Sequence, residues 1–395
     1  MASTAQQVRA YRGPAVLSFG VRPFFLAGAA WAAVAVALWL PMLAGRLELP
    51  TAFGPLEWHV HELVYGYVPA VVAGFLLTAV PNWTGRLPVV GRPLLVLFVV
   101  WLAGRVAVLC SGLIGAGVAA AVDLAFLALL GGVIGREIVA GRNTRNLKVL
   151  AVLGVLLAGN AAFHLEAARG WGIGYGARVG IGATVLLIML IGGRIIPSFT
   201  RNWLARRGPG ALPEPFGRFD VAAMVAGGVA LAAWVALPEH GVTAGLAAVA
   251  AVLHAVRLAR WAGGRTGAEA LVLVLHVAYA FVPVGFVLVA LAGVRGDVVV
   301  PSGALHAWTV GAVGLMTLAV MTRASFGHTG QALVAAWPVQ AIYAACTLAA
   351  VARVVAAFGV WRAPMLHLSA TAWVLGFAGF VAVYAPLLLR ARPKG

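Results

Sequence analysis

Runs of about twenty apolar residues, separated by short clusters rich in Arg, Pro and Gly, recur along this chain from Phe24 to Leu389. A helix rising 1.5 Å per residue needs about 20 apolar residues to cross a hydrocarbon core of about 30 Å. Cut by length and by this punctuation, the sequence predicts twelve spans. They fall at Phe24–Leu43, Trp58–Val80, Leu94–Ile114, Val118–Ile138, Val149–Ala168, Ala177–Ile196, Phe219–Leu237, Val242–Trp261, Glu269–Gly293, Ala304–Thr322, Leu333–Ala357 and Leu366–Leu389. The expected fold is all-α and polytopic. It is a single integral membrane domain, with six helices within residues 1–200 and six within 216–395, joined by a loop carrying Pro209, Pro213 and Pro215.

Composition narrows the class. Of 395 residues 63% are apolar and 10% charged, against an apolar share of about 45–50% in soluble domains. A soluble enzyme, a nucleic-acid-binding module and a disulfide-stapled secreted domain are excluded, and the lipid bilayer becomes the first partner. The net charge of +17 then reads as orientation rather than as a site for an anionic macromolecule. With both termini in the cytoplasm, 21 of the 28 Lys and Arg fall in the tails and even-numbered loops. Arg46, Arg169, Arg178, Arg295 and Arg362 fall on the other side, and Arg105 and Arg353 lie in spans. A reporter fused after Gly395 is accordingly expected to be active only as a cytoplasmic reporter, and one at Glu239 only as a periplasmic one; the reverse result overturns the map. Cys110 and Cys346 sit in separate apolar runs and read as packed residues. The first twenty residues carry Arg9 and Arg12 without an apolar leader core, so no cleaved segment is expected.

Ionisable groups inside spans are expensive and point to function, and nine histidines dominate that set. On the expected topology His59, His61, His164, His240, His306 and His367 lie toward the outer face, and His254, His276 and His328 toward the cytoplasmic one. The densest motif is Trp58-His59-Val60-His61-Glu62. On a regular helix His59 and His61 point about 200° apart, His59 shares a face with Glu62, and His61 shares one with Tyr65. His306 opens span 10 at the level of His61, and His276 sits two turns into span 9. His328 lies in Ser325-Phe326-Gly327-His328-Thr329-Gly330, either as a ligand or in a water-facing loop. His164, with Glu166, and His254 read as helix-end or packed polar residues rather than as ligands. Asp123, Glu137 and Glu166 either carry protons or close pairs with Arg105 or helix termini. Arg22, Arg86, Arg194 and Arg323, near Gly-rich helix ends, either anchor the topology or pair with carboxylates of a cofactor. A short internal echo links His61, Gly66 and Thr84-Gly85 with His306, Gly311 and Thr329-Gly330 at identical offsets.

Longer motifs carry a family resemblance: Arg22-Pro23-Phe24-Phe25-Leu26, Trp58-His59-x-His61-Glu62, Gly74 through Gly85, Gly193 through Leu204, Leu305-His306-Ala307, Met321-Thr322-Arg323, and Phe326 through Gly330. Together they resemble the NnrS family. The resemblance implies a bacterial inner-membrane protein of the nitric oxide response and denitrification, with haem b and copper or another non-haem metal. It implies His59, His61, His276, His306 and His328 as metal or haem ligands, Arg194 and Arg323 as cofactor-binding residues, and Glu62 with His306 as catalytic groups. The expected activity is quinol-linked reduction of two NO to N2O. The alternative is a haem or copper protein that senses NO or protects metal centres without turnover. A secondary transporter ranks third, because the polar residues gather near helix ends rather than at the bilayer midplane.

Overall fold

The computed structural model describes residues 11–295 and 301–391, and every regular element among them is helical. Twelve helices are long and apolar enough to cross a membrane: α1 Val21–Leu43, α2 Pro55–Thr84, α3 Arg92–Leu109, α4 Ala116–Ala140, α5 Leu147–Ala168, α6 Tyr175–Leu204, α7 Arg218–Ala236, α8 Gly241–Ala259, α9 Ala270–Val294, α10 Pro301–Thr329, α11 Trp337–Ala357 and α12 Arg362–Leu389. All twelve expected spans are present. Their outward surfaces leave Val96, Val99 and Val252 exposed, the kind of surface a helix presents to hydrocarbon.

Boundaries moved where local chemistry overrides hydropathy. Helix α2 starts at Pro55 instead of Trp58, because proline suits the first helical turn and the Glu57 carboxylate accepts from Gly54 N at 2.9 Å. Helix α3 stops at Leu109 instead of Ile114; the chain leaves helical geometry at Cys110, makes one short turn over Ser111–Ile114, and reverses at Gly115 with φ +90°. Helix α11 starts at Trp337 with Pro338 in its first turn. The expected loop around His328 is instead helical through Thr329.

Three helices contain π-helical stretches, at Glu62–Tyr67 in α2, Ile188–Gly192 in α6 and Ala307–Leu315 in α10. A π stretch widens the hydrogen-bond ladder to i→i+5. Side chains from neighbouring helices take carbonyls in these stretches: Trp101 Nε1 donates to Gly66 O at 2.9 Å, and Arg257 Nη1 to Met189 O at 3.0 Å. His61 and His306 are each the last α-helical residue before a π stretch. The sequence echo therefore has a local structural counterpart.

Contacts divide the chain into two compact units. One comprises the described residues up to Gly180 with Ala324–Ala332 and those from Phe377 on; the other comprises Ile181–Arg323 and Leu333–Gly376. Thus α6, α10 and α12 each contribute to both, whereas chain order separates six helices from six. In the first unit α1 packs on α2, α3 on α4 and α4 on α5; in the second α7 packs on α8, α8 on α9, and α9 and α11 on the π stretch of α10.

Small residues set these approaches, as expected where lipid is as apolar as a side chain. The closest approach to a neighbouring backbone is between α5 and the start of α6. A Cβ on Gly176 would lie 2.4 Å from Phe163 N, while Gly176 O accepts from Tyr65 Oη at 2.5 Å. Gly176→Ala is expected to cost about 1–3 kcal/mol, read as a lowered unfolding midpoint in detergent by tryptophan fluorescence. An unchanged midpoint contradicts the close approach.

Candidate metal centre

Within the first unit α1 to α5 converge on a polar cluster enclosed by apolar packing. Helix α2 supplies His61 and Glu62, α3 Arg105, α4 Asp123, and α5 Asn160 and His164, which at i, i+4 share a face. Glu62 and His61 are fully buried, Arg105 and Asp123 are 2% exposed, and His164 is 8% exposed.

The contacts form one network. Arg105 Nη1 donates to both Glu62 oxygens at 2.7 and 2.8 Å, and its Nη2 donates to Asp123 Oδ1. Trp31 Nε1 donates to Glu62 Oε2 at 2.7 Å. Asn160 Nδ2 donates to Asp123 Oδ2 at 2.7 Å. His61 places Nδ1 3.0 Å from Glu62 Oε1, and Nε2 3.1 Å from Asn160 Oδ1 and 3.3 Å from Asp123 Oδ2. His164 Nε2 lies 3.1 Å from Asp123 Oδ2.

Two counts show what this arrangement demands. Both ring nitrogens of His61 face oxygen acceptors, and a neutral imidazole has one N–H. At one nitrogen, lone pairs meet unless a cation or a second proton stands between them. The charges agree: two carboxylates face one guanidinium, leaving one negative charge for a proton or cation to compensate in a low-dielectric interior.

One ligand atom each from His61, Asp123 and His164 lies within 4.8 Å of the others, the one such set of three among the described residues. Two imidazoles and one carboxylate are the donor set of non-haem iron centres with open positions, and imidazole equally suits copper. The donors present therefore fit a metal ion. Glu62, on the far nitrogen of His61, occupies the place of the carboxylate that orients a metal-binding histidine.

The other expected site residues lie elsewhere. His59 points away from His61 and stacks on Trp39 with ring centroids 3.9 Å apart. His306 belongs to the second unit, where its Nδ1 is 2.5 Å from Ser302 O. His276, also there, has Nε2 2.8 Å from Thr200 Oγ1. His328 packs on Phe19 at 4.8 Å, Arg323 stacks over Phe199 at 4.0 Å, and Arg194 is exposed. His254 Nδ1 meets Tyr279 Oη at 2.9 Å beside the buried Asp220–Arg257 pair. His240 accepts from Val242 N and caps α8.

Among the acids with two readings, the pairing one describes the contacts. Asp123 pairs with Arg105, Glu137 with Arg86 and Arg136, and Glu166 accepts from Tyr175 N and Gly176 N at the start of α6. Arg22 Nη1 donates to the carbonyls of Leu388 and Arg390 at the end of α12. Asn160 carried no weight in the sequence reading, although a polar pair four residues apart in an apolar span, Asn160 and His164, was a readable signal.

A family model described as NnrS protein matches residues 15–392. No curated protein matches the chain.

Proposed function

The chain belongs to the NnrS family, and from that premise we propose that it is a multi-pass metalloprotein of the bacterial inner membrane that reduces nitric oxide, with His61, Asp123 and His164 as its metal ligands. The observation that carries the reading is the convergence of those three buried donors beside an oriented Glu62. The reaction is 2 NO + 2 H⁺ + 2 e⁻ → N2O + H2O, and oxidation of one quinol to quinone supplies both electrons. A redox metal in this site, iron or copper, would supply electron transfer and open positions for NO.

The chain's own groups do the rest. Glu62 accepts from His61 Nδ1 and so turns Nε2 toward Asp123; Arg105 bridges Glu62 and Asp123; burial keeps bulk water from the donors. With Arg105 and Trp31 also donating to it, Glu62 acts here as a positioning residue. Haem, which the resemblance implies, is not assigned to a pair of the described imidazoles. His276 Nε2 is taken by Thr200, and the His328 ring lies on Phe19.

The test pairs metal analysis with turnover. Wild-type protein is expected to bind about one iron or copper per chain through this donor set and, with ample quinol, to release N2O at half the NO consumed. His61→Ala and His164→Ala should each lose the metal and the consumption. Retention of both by either variant overturns the assignment. A stable NO adduct without N2O leaves the sensing and protecting role in its place.

A further inference from the structure

One face of the cluster adjoins a cavity of about 30 Å³, walled by Phe53, Val108, Ser111, Ala119, Ala167 and His164. A water-sized particle needs about 10–15 Å³ on this measure, so the space holds roughly two atoms of that size. Ala52, Ala116 and Ala168 complete the lining and are exposed, which places its mouth where α4 begins and α5 ends. No cationic or anionic side chain lines it. Ser111 Oγ is already engaged: it donates to Val108 O at 2.8 Å, accepts from Ala52 N at 2.8 Å and contacts Thr51 Oγ1 at 3.2 Å.

Those bonds fix the inner wall. Ser111 pins the segment leading into α2, Gly112 N donates to Pro50 O at 2.9 Å, and a Cβ on Gly112 would stand 3.1 Å from that oxygen. The Phe53 ring that follows is 8% exposed and lies 5.1 Å from the His61 ring and 5.6 Å from the His164 ring. It is at once a wall of the cavity and the neighbour of both imidazoles.

We infer that this cavity is the entry route by which a small uncharged molecule reaches the His164 side of the cluster, and that Phe53, held through Ser111, sets the size limit. The ligand class is a diatomic-sized neutral molecule; an anion such as nitrite finds no counter-charge on the way. This rests on the metal reading for its destination, but the route is testable without metal.

In a Cys110→Ser background, Ala119→Cys places a thiol in the cavity wall of metal-free protein. Neutral methyl methanethiosulfonate is expected to modify it at least tenfold faster than its anionic sulfonatoethyl analogue, and Ala167→Phe to slow the neutral reagent at least fivefold. Equal rates for the two reagents, no labelling, or indifference to Ala167→Phe overturn the route even if the metal site stands. In metal-loaded protein, Phe53→Ala and the milder Phe53→Leu are expected to raise the on-rate of n-butyl isocyanide at least fivefold relative to that of NO. An unchanged ratio removes the size-limiting role of Phe53. Failure to load metal, with labelling as expected, would strike the metal reading and leave the route intact.

Discussion

Arg105→Met is expected to destabilise the protein by about 3–5 kcal/mol, the cost of removing one partner from a buried charge network. The guanidinium is 2% exposed and donates to Glu62 and Asp123, both buried and on different helices. Without it two carboxylates confront each other in an apolar bundle with no water to screen them. Denaturant titration in detergent, followed by tryptophan fluorescence, reads the loss. Arg136→Met is the control: its side chain is 68% exposed beside Glu137, and exposed pairs of this kind are worth less than about 1 kcal/mol. Comparable small losses for both arginines would show that Arg105 is not the keystone of the network.

Glu62→Gln is expected to weaken metal affinity by about 10–100-fold, the usual effect of losing a carboxylate that orients a ligating histidine. The amide loses the charge facing Arg105 and the fixed acceptor at His61 Nδ1. The ring is then free to present either nitrogen to Asp123. Chelator competition against wild type measures the change. Unaltered affinity, with the fold intact by size exclusion, would mean that Glu62 does not orient His61 for a metal. A variant that binds metal normally but turns over slowly would return Glu62 to proton delivery.

The membrane architecture was legible because each span needs its own length of apolar residues, and a missed helix would scramble the alternation of basic and neutral loops. Errors gathered at helix ends, where Pro55, Cys110 and Pro338 decide by backbone geometry while hydropathy varies smoothly. The site was legible in part. His61 and Glu62 stood out as polar residues in an apolar run, and Asp123 with Arg105 as opposite charges inside neighbouring spans. The step from those to a donor set depends on which faces of α2, α4 and α5 meet, and helical periodicity leaves that open when all faces are apolar. For the same reason His59, adjacent in sequence, weighed as much as His61, although it stacks on Trp39. The contact between His61 and Glu62 also runs against α-helical geometry, in which successive side chains diverge.

That contact sits at the entry to the π stretch Glu62–Tyr67, which holds one residue more than the α-helix it interrupts. Deleting any one residue there would let α2 run on as a continuous screw at little cost to its length. The flanking segments would keep their facing, because the wider π turn absorbs the extra residue; what would close is the widened turn itself, with the Gly66 carbonyl that accepts from Trp101. The local shape of α2 beside the cluster, rather than its phase, is thus written in a single inserted residue. A homologous sequence with a one-residue gap in this column would keep the bundle and the facing of α2, and lose the widened turn that begins at Glu62.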